Sequence, residues 1–181
     1  MDTIGTTLNK QTISTISRQL RTHKLTSQLI TETCLEQISL KDKTLNAFIT
    51  VFADEALQQA CEADRELKAG LDRGPLHGIP LSLKDLIDVR GAPTTAASRV
   101  REDHVATADA NIVTRLRKAG TVLIGKCNLH EFALGTTNED SAYGPAKNPF
   151  DLNRSPGGSS GGSAVSVAAG MSLGSIGTDT G

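Results

Sequence analysis

Tryptophan is absent from this chain and only 3 % of its residues are aromatic, so it offers few of the flat side chains on which nucleic-acid bases stack. An excess of charge of one sign is missing as well: 19 Lys and Arg stand against 20 Asp and Glu. With neither a basic stripe nor a stacking platform, nucleic acid is not expected as a direct partner. Nowhere does the chain approach the ~20 consecutive apolar residues that a membrane helix needs, and residues 1–17 hold no apolar stretch of signal-peptide length. The chain therefore reads as soluble and cytoplasmic, with no membrane partner. Cysteine is scarce, and Cys34, Cys61 and Cys127 are far apart, odd in number and outside any CxxC arrangement. Neither a disulfide framework nor a zinc site is supported, and three reduced, mostly packed thiols are expected.

What is present suits one domain. A globule of this size buries roughly 70 % of its unfolded surface, and no internal repeat or long linker divides it. Thr26–Leu40 places Leu29, Ile30, Cys34 and Ile38 near helical spacing behind a Thr26 or Ser27 cap, which predicts an outer helix. "NAFITVF" (46–52) reads as a strand, and the helix after it stops at Gly70. Residues 77–89, "HGIPLSLKDLIDV", read as extended. From Asp109 an amphipathic helix runs to Gly120, followed by a buried strand over Thr121–Ile124. This alternation predicts an α/β layered fold.

Two features carry chemistry. "RSPGGSSGGSA", residues 154–164, packs four glycines and four serines into eleven positions. Such a run is usually a flexible connector, yet "AVSVAAGMSLGSIG" after it is small and mostly apolar, which suits a core rather than a tether. No Lys follows the glycines and the G-x-G-x-x-G spacing is missing, so phosphate binding is the weaker reading. Glycines let the backbone adopt unusual dihedrals and let chains approach closely, presenting Ser159 and Ser160 in fixed directions. The second feature is Lys84, among Ile79, Leu81 and Leu83. It reads either as a surface lysine paired with Asp85 or Asp88, or as a buried amine. Burial would disfavour its charge and make it a usable general base.

Together, "GPLHGIPLSLKDLIDVRGAPTTAAS", "GKCNLHEFALGTTNEDSAYGPAKNPFDLNRSPGGSSGGSAVSVAAG" and "GSIGTDTG" resemble the amidase signature family, over most of the chain from about Leu25 onward. The resemblance implies an α/β fold with a mixed central sheet covered by helices, here truncated. It also implies a serine hydrolase with a Ser, cis-Ser, Lys triad, no metal and no cofactor, acting on a small-molecule amide. On this resemblance Lys84 is the base, Ser159 follows a cis peptide bond from Gly158, and Ser160 is the neighbour that bonds the lysine and keeps it oriented. Thr180 and Gly181 match the start of the substrate-side oxyanion loop, whose N–H groups stabilise the tetrahedral oxyanion. The family's nucleophile is the serine of "G-[ST]-D-T-G-G-S", and this chain stops at "GTDTG".

Residues 1–181 are accordingly expected to be the N-terminal part of a single amidase domain that continues further. Alone they should be inactive, with the apolar faces of Thr121–Ile124 and Ser172–Ile176 exposed. His77 and His130 are assigned structural roles, since the family's triad contains no histidine. "TTNEDSAYG" (136–144) is polar and turn-rich, and by analogy lines the substrate entrance. A free-standing amidase, left open as a homo-oligomer, competes with the glutamine-hydrolysing A subunit of a tRNA-dependent amidotransferase, whose partners would be the other subunits. "NLHEFALG", where that subunit usually has "N-M-D-E-F-A-M-G", tilts the reading toward a general amidase. A non-catalytic scaffold is the third reading.

Overall fold

The computed structural model describes residues 11–179. Among them, five α-helices surround a four-stranded mixed sheet. Helix α1 (Ile13–Arg21) is capped by the Thr12 hydroxyl, which accepts the Thr15 N–H. Helix α2 (Ser27–Leu45) is capped in the same way by Thr26. It runs five residues past the periodic segment, where Leu45 is buried in the core and Asp42 accepts the Ala47 N–H beyond the helix end, and it stops where Asn46 turns left-handed at φ 53°. Strand β1 (Phe48–Val51), helix α3 (Ala53–Lys68), strand β2 (Pro80–Lys84), helix α4 (Asn111–Lys118), strand β3 (Val122–Cys127), helix α5 (Gly161–Ala168) and strand β4 (Gly174–Ile176) follow.

Sheet order is β1-β3-β2-β4, with β3 antiparallel to β1 and β2 parallel to both β3 and β4. Alternation along β2 splits its side chains between two cores. Leu81 and Leu83 join Ile16, Leu20, Val113 and Leu116 on one face. Ser82 and Lys84 point to the other, where Val122, Ile124, Cys34 and Val165 pack. The register against β3 slips between Leu81 and Ser82, so that Leu81 faces Leu123 while Ser82 faces Gly125. That extra residue, a β-bulge, reverses the parity of β3. Lys126 thereby turns to the Leu83 side, and Cys127 shares a face with Lys84. Only glycine fits at 125, where a Cβ would lie 2.4 Å from the Thr50 carbonyl oxygen.

Three expectations need correction. The extended stretch over 77–89 narrows to β2, because the chain turns after Lys84 when Ile87 N–H donates to the Lys84 carbonyl. Thr121–Ile124 is not an exposed face: β3 is an inner strand whose Val122, Leu123 and Ile124 are all buried. Ser172–Ile176 is only partly open, at the sheet edge. Helix α1 goes beyond the elements predicted, although Ile13, Ile16 and Leu20 stand at helical spacing behind the Thr12 cap; helix α5 carries no clear signal in the sequence. α5 opens with two glycines, which lower helix propensity, and packing overrides that cost: a Cβ at Gly162 would lie 2.5 Å from the carbonyl oxygens of both Ala47 and Asn128.

Burial decides how the thiols behave. It pushes Cys34 up to about 12 and Cys127 up to about 11, the latter against serine hydroxyls that pull it down. Cys61 is exposed. Brief alkylation of the native protein near pH 8, read by mass spectrometry, is expected to modify Cys61 and to spare Cys34 and Cys127 until the protein unfolds. Equal labelling of all three would show that the core holding Cys34 and Cys127 opens readily.

Candidate active site

Lys84 is the last residue of β2 and is fully buried. Its Nζ donates to Ser159 Oγ at 2.6 Å, to Thr178 Oγ1 at 2.8 Å and to the Thr178 carbonyl at 3.4 Å. The surface pairing weighed for this residue does not occur. Asp85 turns away and meets Lys126 at 2.8 Å, both side chains fully buried. Burial lowers the Lys84 pKa below the ordinary lysine value, and the Asp179 carboxylate pulls in the opposite direction. The neutral amine has two protons and one lone pair. With two acceptors on Thr178, its lone pair is left for the Ser159 hydroxyl.

The serines lie at the mouth of α5. The Gly158–Ser159 peptide is cis, and the His130 N–H holds the Ser159 carbonyl at 3.0 Å. Gly158 packs so closely that a Cβ there would come within 2.8 Å of the Thr136–Thr137 backbone. The run expected to form a rigid loop is therefore a turn seated on residues 130–138, leading straight into a helix. Behind Lys84 on the same face, Ser82 Oγ lies 2.9 Å from Ser166 Oγ, 3.2 Å from Ser172 Oγ and 2.8 Å from Ser175 Oγ. These hydroxyls satisfy one another beneath α5.

Ser160 does not bond the lysine, contrary to expectation. Its hydroxyl donates to the Thr178 carbonyl at 3.2 Å and accepts the Thr178 N–H at 3.3 Å. Thr178 thus stands between Ser160 and the amine. The reason is topological: β4 runs parallel to β2 with Ile176 opposite Leu83, which brings the residue just past β4 to the end of the lysine strand. Thr178 fills the [ST] place of "G-[ST]-D-T-G-G-S", but only this pairing shows that it reaches the lysine. Sequence patterns pass over Lys126, although its signal matches that of Lys84, a lysine inside an apolar strand ("VLIGKC"). Besides Asp85, its Nζ reaches the Pro93 carbonyl and Thr94 Oγ1, each at 3.0 Å. Thr180 and Gly181 lie outside the described residues.

The two histidines sit apart from the lysine's hydrogen bonds. His77 is buried, accepts the Arg73 N–H on Nδ1 and lies 3.0 Å from Glu66. Burial lowers its pKa against the pull of Glu66. With Glu66, Arg73 and Arg117 it lines an open cavity of about 510 Å³. The His130 ring packs against Gly135. Among the described residues, no group of three or more His, Cys, Asp and Glu could hold a metal ion, and no helix is long and apolar enough to cross a membrane.

Fold and site define a mixed α/β protein with a buried lysine held against a serine at the head of a glycine-rich turn. The chain belongs to the Amidase family, whose profile matches residues 29–181. It is 49 % identical over 157 residues to the A subunit of the glutamyl-tRNA(Gln) amidotransferase of Anaeromyxobacter dehalogenans (strain 2CP-C), covering 87 % of this chain and 32 % of the relative. The native peptide amidase from Stenotrophomonas maltophilia superposes with a TM-score of 0.83 at 40 % identity, over 90 % of this chain and 35 % of that one. A crystal structure of an amidase gives 0.87 at 41 %, over 94 % and 39 %. The chain spans about a third of the length of the curated relatives it matches.

Proposed function

We propose that these residues supply the base and relay of an amide hydrolase that works through an acyl-enzyme. The observation that carries this reading is the 2.6 Å contact between the Lys84 amine and the Ser159 hydroxyl, in a setting whose burial favours the neutral amine. Neutral Lys84 accepts the Ser159 proton, and Ser159 takes one from a nucleophilic serine. On the family motif that serine is the last residue of "G-[ST]-D-T-G-G-S", of which residues 177–181 supply "GTDTG". The serine oxygen attacks the carbonyl carbon of a small-molecule amide, and on the same motif the N–H groups of Thr180 and Gly181 serve the oxyanion. Collapse breaks the C–N bond while the relay returns the proton to the leaving nitrogen, so ammonia or an amine departs. Water then hydrolyses the ester by the same route.

A second reading, in which the amide is glutamine and the enzyme works beside amidotransferase subunits, is favoured by the 49 % identity to an amidotransferase component. The test takes the protein that carries this chain, offers it a simple aromatic amide and glutamine with and without a chelator, and probes it with a fluorophosphonate. Amide turnover that survives the chelator, with one serine labelled, is expected. Activity confined to glutamine would select the second reading, whereas loss of activity on metal removal would overturn the mechanism. Residues 1–181 alone are expected to be inactive, since their relay has no nucleophile to activate. Turnover by them would make one of their own serines the attacker.

A further inference from the structure

Asn138 is fully buried and adopts a left-handed backbone at φ 59°. Its Oδ1 accepts the Gly162 N–H at 3.1 Å, a proton shared with the Asn128 carbonyl. Gly162 lies in the first turn of α5, where N–H groups have no partner within the helix. That acceptor normally comes from the residue just before the helix, with serine among the preferred types. Here that residue is Ser160, and its side chain makes no such bond; it is engaged with Thr178 instead. The contact is close: a Cβ at Gly161 would lie 2.5 Å from Asn138 Oδ1. Asparagine is also among the few residues that adopt left-handed backbone readily.

We propose that Asn138 is a positioning residue for the Ser159–Ser160 turn: its carboxamide takes over the capping of α5 and so releases the Ser160 hydroxyl to hold Thr178 and, through Thr178, the Lys84 amine. The inference rests on the hydrolase reading above. Without Oδ1, the Gly162 N–H keeps the Asn128 carbonyl as its acceptor, and the Ser160 hydroxyl, at the usual capping position, is the side chain placed to supply a second one to the first turn. Turning to that task, it would drop both hydrogen bonds to Thr178, and the two acceptors that orient the lysine would lose their anchor. Asn138 itself touches neither lysine nor substrate.

The test uses two substitutions in the protein that carries this chain. Asn138→Gly keeps the left-handed backbone while removing the acceptor, and Asn138→Asp keeps the acceptor. Asn138→Gly is expected to lower kcat on an aromatic amide by about tenfold to a hundredfold, the scale of a small misplacement, with KM changed less than about twofold. Asn138→Asp puts a carboxyl group at a fully buried position, which carries its own cost, so it is read by crystal structure, where Ser160 should stay on Thr178. In a Ser160→Ala background Asn138→Gly should cost little more, because both changes break one chain of contacts. Full multiplication of the two losses would overturn the proposal. A crystal structure of Asn138→Gly reads the same point without activity. Ser160 Oγ within hydrogen-bond distance of the Gly162 or Ser163 N–H supports the proposal, and Ser160 still on Thr178 overturns it. If the unmodified protein hydrolyses no amide, the hydrolase reading fails and that structure still decides the role of Asn138.

Discussion

Replacing Lys84 with methionine is expected to lower amide turnover by about 10³- to 10⁴-fold, the upper range for a positioned general base, or about 4–5.5 kcal/mol of barrier. Methionine fills most of the volume of the lysine stem, so the buried end of β2 keeps its packing while Ser159 loses the amine placed to take its proton. The fold should be retained, as judged by unchanged far-UV circular dichroism. The parent's activity should rise with pH through the lysine's lowered pKa, since the neutral amine is the working form, and the residual activity of the variant should lack that rise. Stability carries the same signature. Burial holds the folded pKa below the ordinary 10.5, so between the two values the unfolded chain binds a proton that the folded chain does not. Parent stability therefore climbs with pH across that window, and the variant should lose this contribution. Near-parental turnover by a folded variant would remove Lys84 from the mechanism.

The second large effect falls on stability. Lys126→Met is expected to cost about 3–5 kcal/mol, because it leaves the Asp85 carboxylate buried without its counter-charge. Both side chains are fully buried and 2.8 Å apart. Asp85 Oδ2 also accepts the Thr95 N–H and hydroxyl, at 2.9 and 2.5 Å, while Lys126 holds the Pro93 carbonyl and Thr94. The pair thus fastens the 93–97 loop, with its left-handed Ala96 and Ala97, to the strands that carry Lys84 and Cys127. Pairing Lys126→Met with Asp85→Asn should recover a large part of the loss, since no uncompensated charge remains. Denaturant unfolding of the single and double variants decides it, and a loss below about 1 kcal/mol in the single variant would mean that water reaches the carboxylate.

Much of the site is legible without any coordinates. A lysine inside "PLSLK" and two serines between pairs of glycines are chemically costly placements, and both mark function because local preference alone would not put them there. The same signal in "VLIGKC" is ambiguous in sequence: only the register of β3 shows that a bulge sends Lys126 to the opposite face from Lys84. Caps and apolar periodicity foretell α2, α3 and α4. They fail for α5, whose glycines and small residues carry no helical pattern, and which is helical because the backbones of Ala47 and Asn128 close over it.

By itself, then, the sequence determined the layered α/β class and the family, and through the family's motifs it pointed to Lys84 and Ser159 as partners. Class and family are matters of residue type and short spacing, which a local pattern records, whereas the pairing of Lys84 with Ser159, 75 positions apart, follows from the family likeness. Tertiary structure alone decided that Thr178 rather than Ser160 holds the amine, that Lys126 neutralises Asp85, and that Asn138 caps α5. Each joins residues that are tens of positions or more apart in the chain or on different elements, and a one-residue slip in strand register would undo the first two.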